Sequence, residues 1–105
     1  MDYASKEMKK VNKYLSLGSI VILKGGSKKI MIYGRQQYQL SSDKILWDYV
    51  GCLYPEGFIS DDYNIFFNHN DIEKTIYRGF EDDEEKIYQK KIEAFKYSVQ
   101  LDQKI

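Results

Sequence analysis

Two short, almost unbroken apolar runs stand out early in the chain, Ile20-Val21-Ile22-Leu23 and Ile30-Met31-Ile32-Tyr33. Both are rich in β-branched residues. Lys24-Gly25-Gly26-Ser27-Lys28 separates them and supplies residues that tolerate positive φ, so the pair predicts a β-hairpin. Runs without polar alternation predict strands covered on both faces, which favours a strongly curved or barrel-like sheet over a flat one. Trp47 to Tyr54 predicts a third strand, with Trp47, Tyr49, Gly51 and Leu53 on one face and Asp48, Val50, Cys52 and Tyr54 on the other. Gly51 inside it marks a bend or bulge. Tyr54-Pro55-Glu56-Gly57 predicts a turn. Gln36 to Asp43 is polar and reads as a loop, or as a strand tail carrying Tyr38 and Leu40.

Further along, Phe58-Ile59 either begins another strand or covers the core, and Ser60 to Asn64 is a polar loop. Ile65-Phe66-Phe67 is an apolar insertion, and the Asx residues of Asn68-His69-Asn70-Asp71 favour a turn after it. Ile72 to Arg78 predicts a last strand anchored by Ile76 and Tyr77, which Gly79 breaks. Residues 81–101 carry the clearest helical signal. Acids at 81–85 suit the positive end of a helix dipole, and Tyr88, Ile92, Phe95 and Val99 recur at spacings of four, three and four. A weaker helical pattern, Met8, Val11 and Leu15, covers 4–15 and stops at Leu17-Gly18. The class this predicts is α+β: a small antiparallel sheet of four to five strands packed against a C-terminal helix, with a short N-terminal helix. The 105 residues are expected to form one domain: a segment 1–16, the sheet 17–80 and the helix 81–101.

Composition sharpens this picture. With 43% apolar and 30% charged residues, the chain is neither a disordered tail nor a membrane span. Met1 to Tyr14 is charged and has no apolar stretch of the kind a secretory signal needs, so a cytoplasmic protein is expected. Net charge is zero but segregated. Residues 1–35 hold eight bases and two acids, whereas 56–85 hold ten acids and two bases. That acidic middle disfavours nucleic acid as a partner. The single cysteine, Cys52, excludes an intramolecular disulfide and a multi-cysteine zinc site, and reads as a small buried side chain. Ten tyrosines are more than a core of this size readily absorbs, and such residues suit protein contact surfaces.

Candidate chemistry is thin. Gly25-Gly26 joins two strands, whereas a phosphate-binding glycine loop opens a helix. His69, the only histidine, has no companion ligands at metal spacing and no nucleophile to activate; it reads as a loop-bonding residue or a partner contact. The run Glu81-Asp82-Asp83-Glu84-Glu85 lacks the spaced ligands and central glycine of a calcium loop, and reads as a solvated helix start or a docking patch for a basic partner. Neighbouring strand residues cannot both face one core, so one of Phe66 and Phe67 packs inward and the other is a candidate contact anchor. No enzymatic activity and no cofactor are expected.

Three blocks carry a family resemblance. The first is Leu17-Gly18-Ser19 with Val21, Leu23-Lys24-Gly25-Gly26 and Met31-Ile32-Tyr33-Gly34-Arg35. The second is Asp48-Tyr49-Val50-Gly51 running into Tyr54-Pro55-Glu56-Gly57-Phe58, and the third is Phe67-Asn68-His69 with Asp71-Ile72 and Gly79-Phe80. Over residues 17 to 100 the chain resembles a small domain-of-unknown-function family of Gram-positive Firmicutes, whose members resemble accessory proteins encoded beside LXG toxins of the type VII secretion system. The resemblance implies a non-enzymatic chaperone or targeting adaptor for such a toxin, with an immunity protein as the nearest alternative. A single-stranded nucleic-acid-binding module is the reading from another class. The candidate partner contacts are Tyr54, Phe58, Phe66, Phe67 and His69.

Overall fold

The computed structural model describes residues 14–39 and 45–104, and side chains as far as Phe95. The helix expected over 4–15 and the tail at Leu40 fall largely outside these residues; Tyr14, Leu15 and Ser16 are buried but not helical. Two compact units form, Leu15–Phe80 and a second made of the C-terminal segment with Tyr14.

The first unit is a five-stranded antiparallel sheet: β1 (Ile20–Leu23), β2 (Ile30–Tyr38), β3 (Leu46–Leu53), β4 (Ile65–Phe67) and β5 (Ile72–Tyr77). Its spatial order is β4-β3-β2-β1-β5. The predicted hairpin 20–33 and the strand at 47–54 are therefore present and paired. The apolar insertion at 65–67 is itself a strand, with Tyr49 opposite Phe67 and Val50 opposite Phe66. Phe58-Ile59 is not a strand and is exposed.

The connection from β4 to β5 dictates how far this sheet curls. The two strands lie at opposite edges, yet only Asn68–Asp71 join them, and His69–Asp71 form a 3-10 turn. Such a link spans about 13 Å at about 2 Å per 3-10 residue and about 3.4 Å per extended one. The edges of a flat five-stranded sheet stand about 19 Å apart. The sheet must curl to bring its edges within reach, although β4 and β5 do not pair and the sheet stays open. Two register shifts between β1 and β5 and one in β2 between Ile32 and Gly34 add the local twist such curling needs. Opposite the β2 shift, a Cβ on Gly51 would stand 2.5 Å from Ile30 Cγ2 and 2.9 Å from the Met31 carbonyl oxygen, so only glycine allows this approach.

Val21, Ile30, Ile32, Tyr49 and Phe67 are all buried, and so are Val50 and Cys52, which alternate with Tyr49 and Gly51 along β3. Strand β3 is thus covered on both faces. The unbroken run of β2 is not: Ile30 and Ile32 are buried, but Tyr33 on the opposite face is exposed. The Leu17-Gly18-Ser19 block is a turn and not a helix end. Gly18 takes φ 88°, the Ser19 N–H bonds the Ser16 carbonyl, and Gly18 and Ser19 extend the pairing to Ile32. Gln36 takes φ 55° within β2, an uncommon conformation for a residue with a side chain.

The second unit holds helix α1, Asp83–Lys104. It starts two residues later than the acid run suggests because the Asp82 carboxylate caps it, accepting the Glu85 N–H at 3.0 Å. The predicted stripe is only partly realised. Ile92 is 3% exposed, but Phe95 is 47% exposed and Tyr88 is exposed too; Val99 lies beyond the described side chains. The buried partner of Ile92 is a polar residue, Gln89. Its Oε1 accepts the Tyr14 N–H at 2.8 Å and its Nε2 donates to the Tyr14 carbonyl, so the side-chain amide pairs with one backbone residue as a strand neighbour does.

Candidate functional site

The five candidate contacts separate into two places. Phe67 and His69 go to the end of the curled sheet. Phe67 is 2% exposed, with its ring 5.3 Å from that of Tyr49. The Tyr49 hydroxyl lies 2.7 Å from His69 Nδ1 and accepts the Leu15 N–H at 2.9 Å. The Leu15 carbonyl in turn accepts a bond from Arg35, which is buried opposite Tyr49.

The turn carrying His69 is built from its own sequence. Asn68 and Asp71 form a reciprocal capping box, with the Asn68 N–H donating to Asp71 Oδ2 at 2.8 Å. The buried Asp48 accepts the His69 N–H at 2.9 Å, and its own N–H donates to Asn68 Oδ1 at 3.0 Å. Asn68-His69-Asn70-Asp71 is thus the strap that carries the chain from the β4 edge to the β5 edge. Its polar residues satisfy backbone groups along the way.

Phe66, half-buried, lies opposite Val50. Tyr54 and Phe58 flank the Tyr54–Gly57 turn and are exposed. The Tyr54–Pro55 peptide is cis, the Gly57 N–H reaches the Leu53 carbonyl at 2.7 Å, and Lys28 and Glu56 form an ion pair at 2.9 Å across the turn.

Sequence reasoning did not single out Tyr33, the residue that organises this surface. Ile32 pairs with Gly51 and Gly34 with Val50, so Tyr33 is the additional residue of a bulge. Its ring stands edge-on to Phe58, centroids 6.1 Å apart at 80°. Its hydroxyl donates to Asn64 Oδ1 at 2.6 Å. Residues 58 and 64 therefore meet at one side chain, and the segment between them wraps around it. That segment forms a 3-10 turn at Asp61–Tyr63 with no buried residue. Ile59 and Tyr63 are about half exposed, and Phe58 is 58% exposed. Tyr33 sits inside an apolar run and so reads as core; with Ile30 and Ile32 buried, strand alternation places it on the outward face.

Electrostatics agree with this layout. The Tyr33 hydroxyl is pushed above its ordinary pKa, first by burial, then by Cys52, with Asp61 adding to the effect and Asn64 opposing it. Burial also pushes the Cys52 thiol up, which disfavours the thiolate a nucleophile needs. Among the described residues no three His, Cys, Asp or Glu side chains gather as a metal site would require. No described helix is long and apolar enough to cross a membrane.

Set against known families, residues 14–87 match the model of one described as a domain of unknown function. No curated protein and no solved structure matches the chain.

Proposed function

The chain belongs to the DUF4176 family, and on that premise we propose that it is a non-enzymatic protein-binding module, a cytoplasmic chaperone or targeting adaptor whose partner is an LXG toxin of the type VII secretion system. The observation that carries the binding role is the aromatic surface. Phe58 stands in solvent edge-on to the ring of Tyr33, whose hydroxyl bonds Asn64, and Ile59 and Tyr63 are exposed on the segment between those two contacts. Exposed aromatic side chains whose positions are fixed before binding are what interfaces use as anchors. The toxin as partner rests on the resemblance of the three sequence blocks. The buried, pKa-raised thiol and the histidine engaged by Tyr49 support the non-enzymatic reading.

Co-expression of the full chain with fragments of a toxin encoded beside it tests this. The adaptor reading expects the export or middle region to co-purify, with Phe58→Ser abolishing capture and the toxin's activity preserved. Capture of the toxic region with loss of toxicity would make it an immunity protein. If no fragment co-purifies at micromolar concentration, the toxin is not the partner.

A further inference from the structure

The same surface has a chemical preference of its own, an inference that rests on the protein-binding reading above. Asp61 and Asp62 lie exposed on the turn between Phe58 and Asn64. Neither is paired with a cation among the described residues. Lys28 is already engaged by Glu56 at 2.9 Å. The rings and the two carboxylates therefore share one short segment, with an acidic field at its exposed edge.

We propose that this surface takes a cationic, apolar segment of its protein partner, with an aliphatic or aromatic anchor seated against Phe58 and Tyr63 and arginine or lysine side chains meeting Asp61 and Asp62. Two features favour this occupant. An aromatic face attracts a cation through its quadrupole, and Arg stems cover apolar surface while their heads stay solvated. An acidic segment or a nucleic-acid phosphate would meet two unpaired carboxylates beside the anchors.

The test uses the full-length chain and three fluorescein-labelled 16-residue peptides that share one pattern of Leu and Phe anchors. Arg, Gln or Glu fills the remaining positions. Anisotropy at 0.15 M salt should show the Arg peptide binding roughly tenfold more tightly than the Gln peptide, the sum of two exposed charge pairs, and the Glu peptide weakest. Asp61→Asn with Asp62→Asn should remove that preference, and Phe58→Ser should abolish binding of the Arg and Gln peptides alike. Both sites are exposed, so these variants keep the fold, which circular dichroism checks. Equal binding of Arg and Glu peptides overturns the proposal, as does a preference that survives the double substitution. Toxin capture separates this from the broader reading. A toxin that binds wild type and the double variant equally overturns the charge preference and leaves the adaptor role standing. Arg-peptide binding that Asp61→Asn with Asp62→Asn erases, with no toxin captured, supports the preference and sinks the toxin.

Discussion

Replacing Tyr49 with phenylalanine removes one oxygen from a side chain with 0% exposure and keeps its ring. That oxygen accepts the Leu15 N–H and stands at bonding distance from His69 Nδ1. Leu15 is buried, so its N–H has no water to turn to, and an orphaned buried donor costs about 1–3 kcal/mol. His69 is half-buried and loses an ordinary hydrogen bond, about 0.5–1.5 kcal/mol. The Phe67 ring contact survives. The expected loss is about 2–4 kcal/mol, a large part of the about 5–15 kcal/mol a domain of this kind possesses. At about 4–8 °C per kcal/mol the melting temperature should fall by about 8–32 °C. Urea unfolding followed by fluorescence gives the free energy directly, and Tyr33→Phe is the matched control. The Tyr33 hydroxyl bonds Asn64 in an exposed position, where water replaces the lost partner, so that variant should lie within about 0.5 kcal/mol of wild type. Equal losses for the two variants would refute the idea that Tyr49 ties Leu15 to the β4–β5 strap.

Ile92→Ala should cost about 2–4 kcal/mol and Phe95→Ala clearly less, since Ile92 is buried and Phe95 half exposed; thermal melts that reverse the order would mean the helix is rotated. Gln36→Gly should raise stability by about 1 kcal/mol in urea titrations. It relieves the left-handed φ and removes a side-chain amide whose nitrogen and oxygen are buried without partners, which outweighs the added freedom of the unfolded chain. Cys52 and Tyr33 both have raised pKa values in the fold, so their contribution is fully present below the unfolded values near 9 and 10 and is lost as pH rises through the folded ones. The urea midpoint should therefore fall above about pH 9, and Cys52→Ala should reduce the fall; a midpoint that rises there has the sign wrong.

The β-hairpin, strand β3 and the long helix are legible in the sequence because each depends on local pattern. Continuous β-branched runs, an apolar and aromatic stretch from Trp47 to Leu53 and an acid-capped helical repeat leave few alternatives. The short strand Ile65–Phe67 is not legible, because three residues carry no period of their own; they are a strand only because β3 presents an edge to them. The stripe on the helix overstates burial for a related reason. Spacing says which side chains share a face, but burial depends on what lies opposite, and Gln89 is buried because the Tyr14 backbone meets it there. Of the candidate contacts, Phe58 is visible as the end of the Tyr54-Pro55-Glu56-Gly57-Phe58 block. Tyr33 is not, because an unbroken apolar run does not say which of its residues face solvent. The four-residue strap that forces the sheet to curl follows from which strands end up at the two edges. Edge position is decided by pairing between residues far apart in the chain, and local sequence holds no record of it.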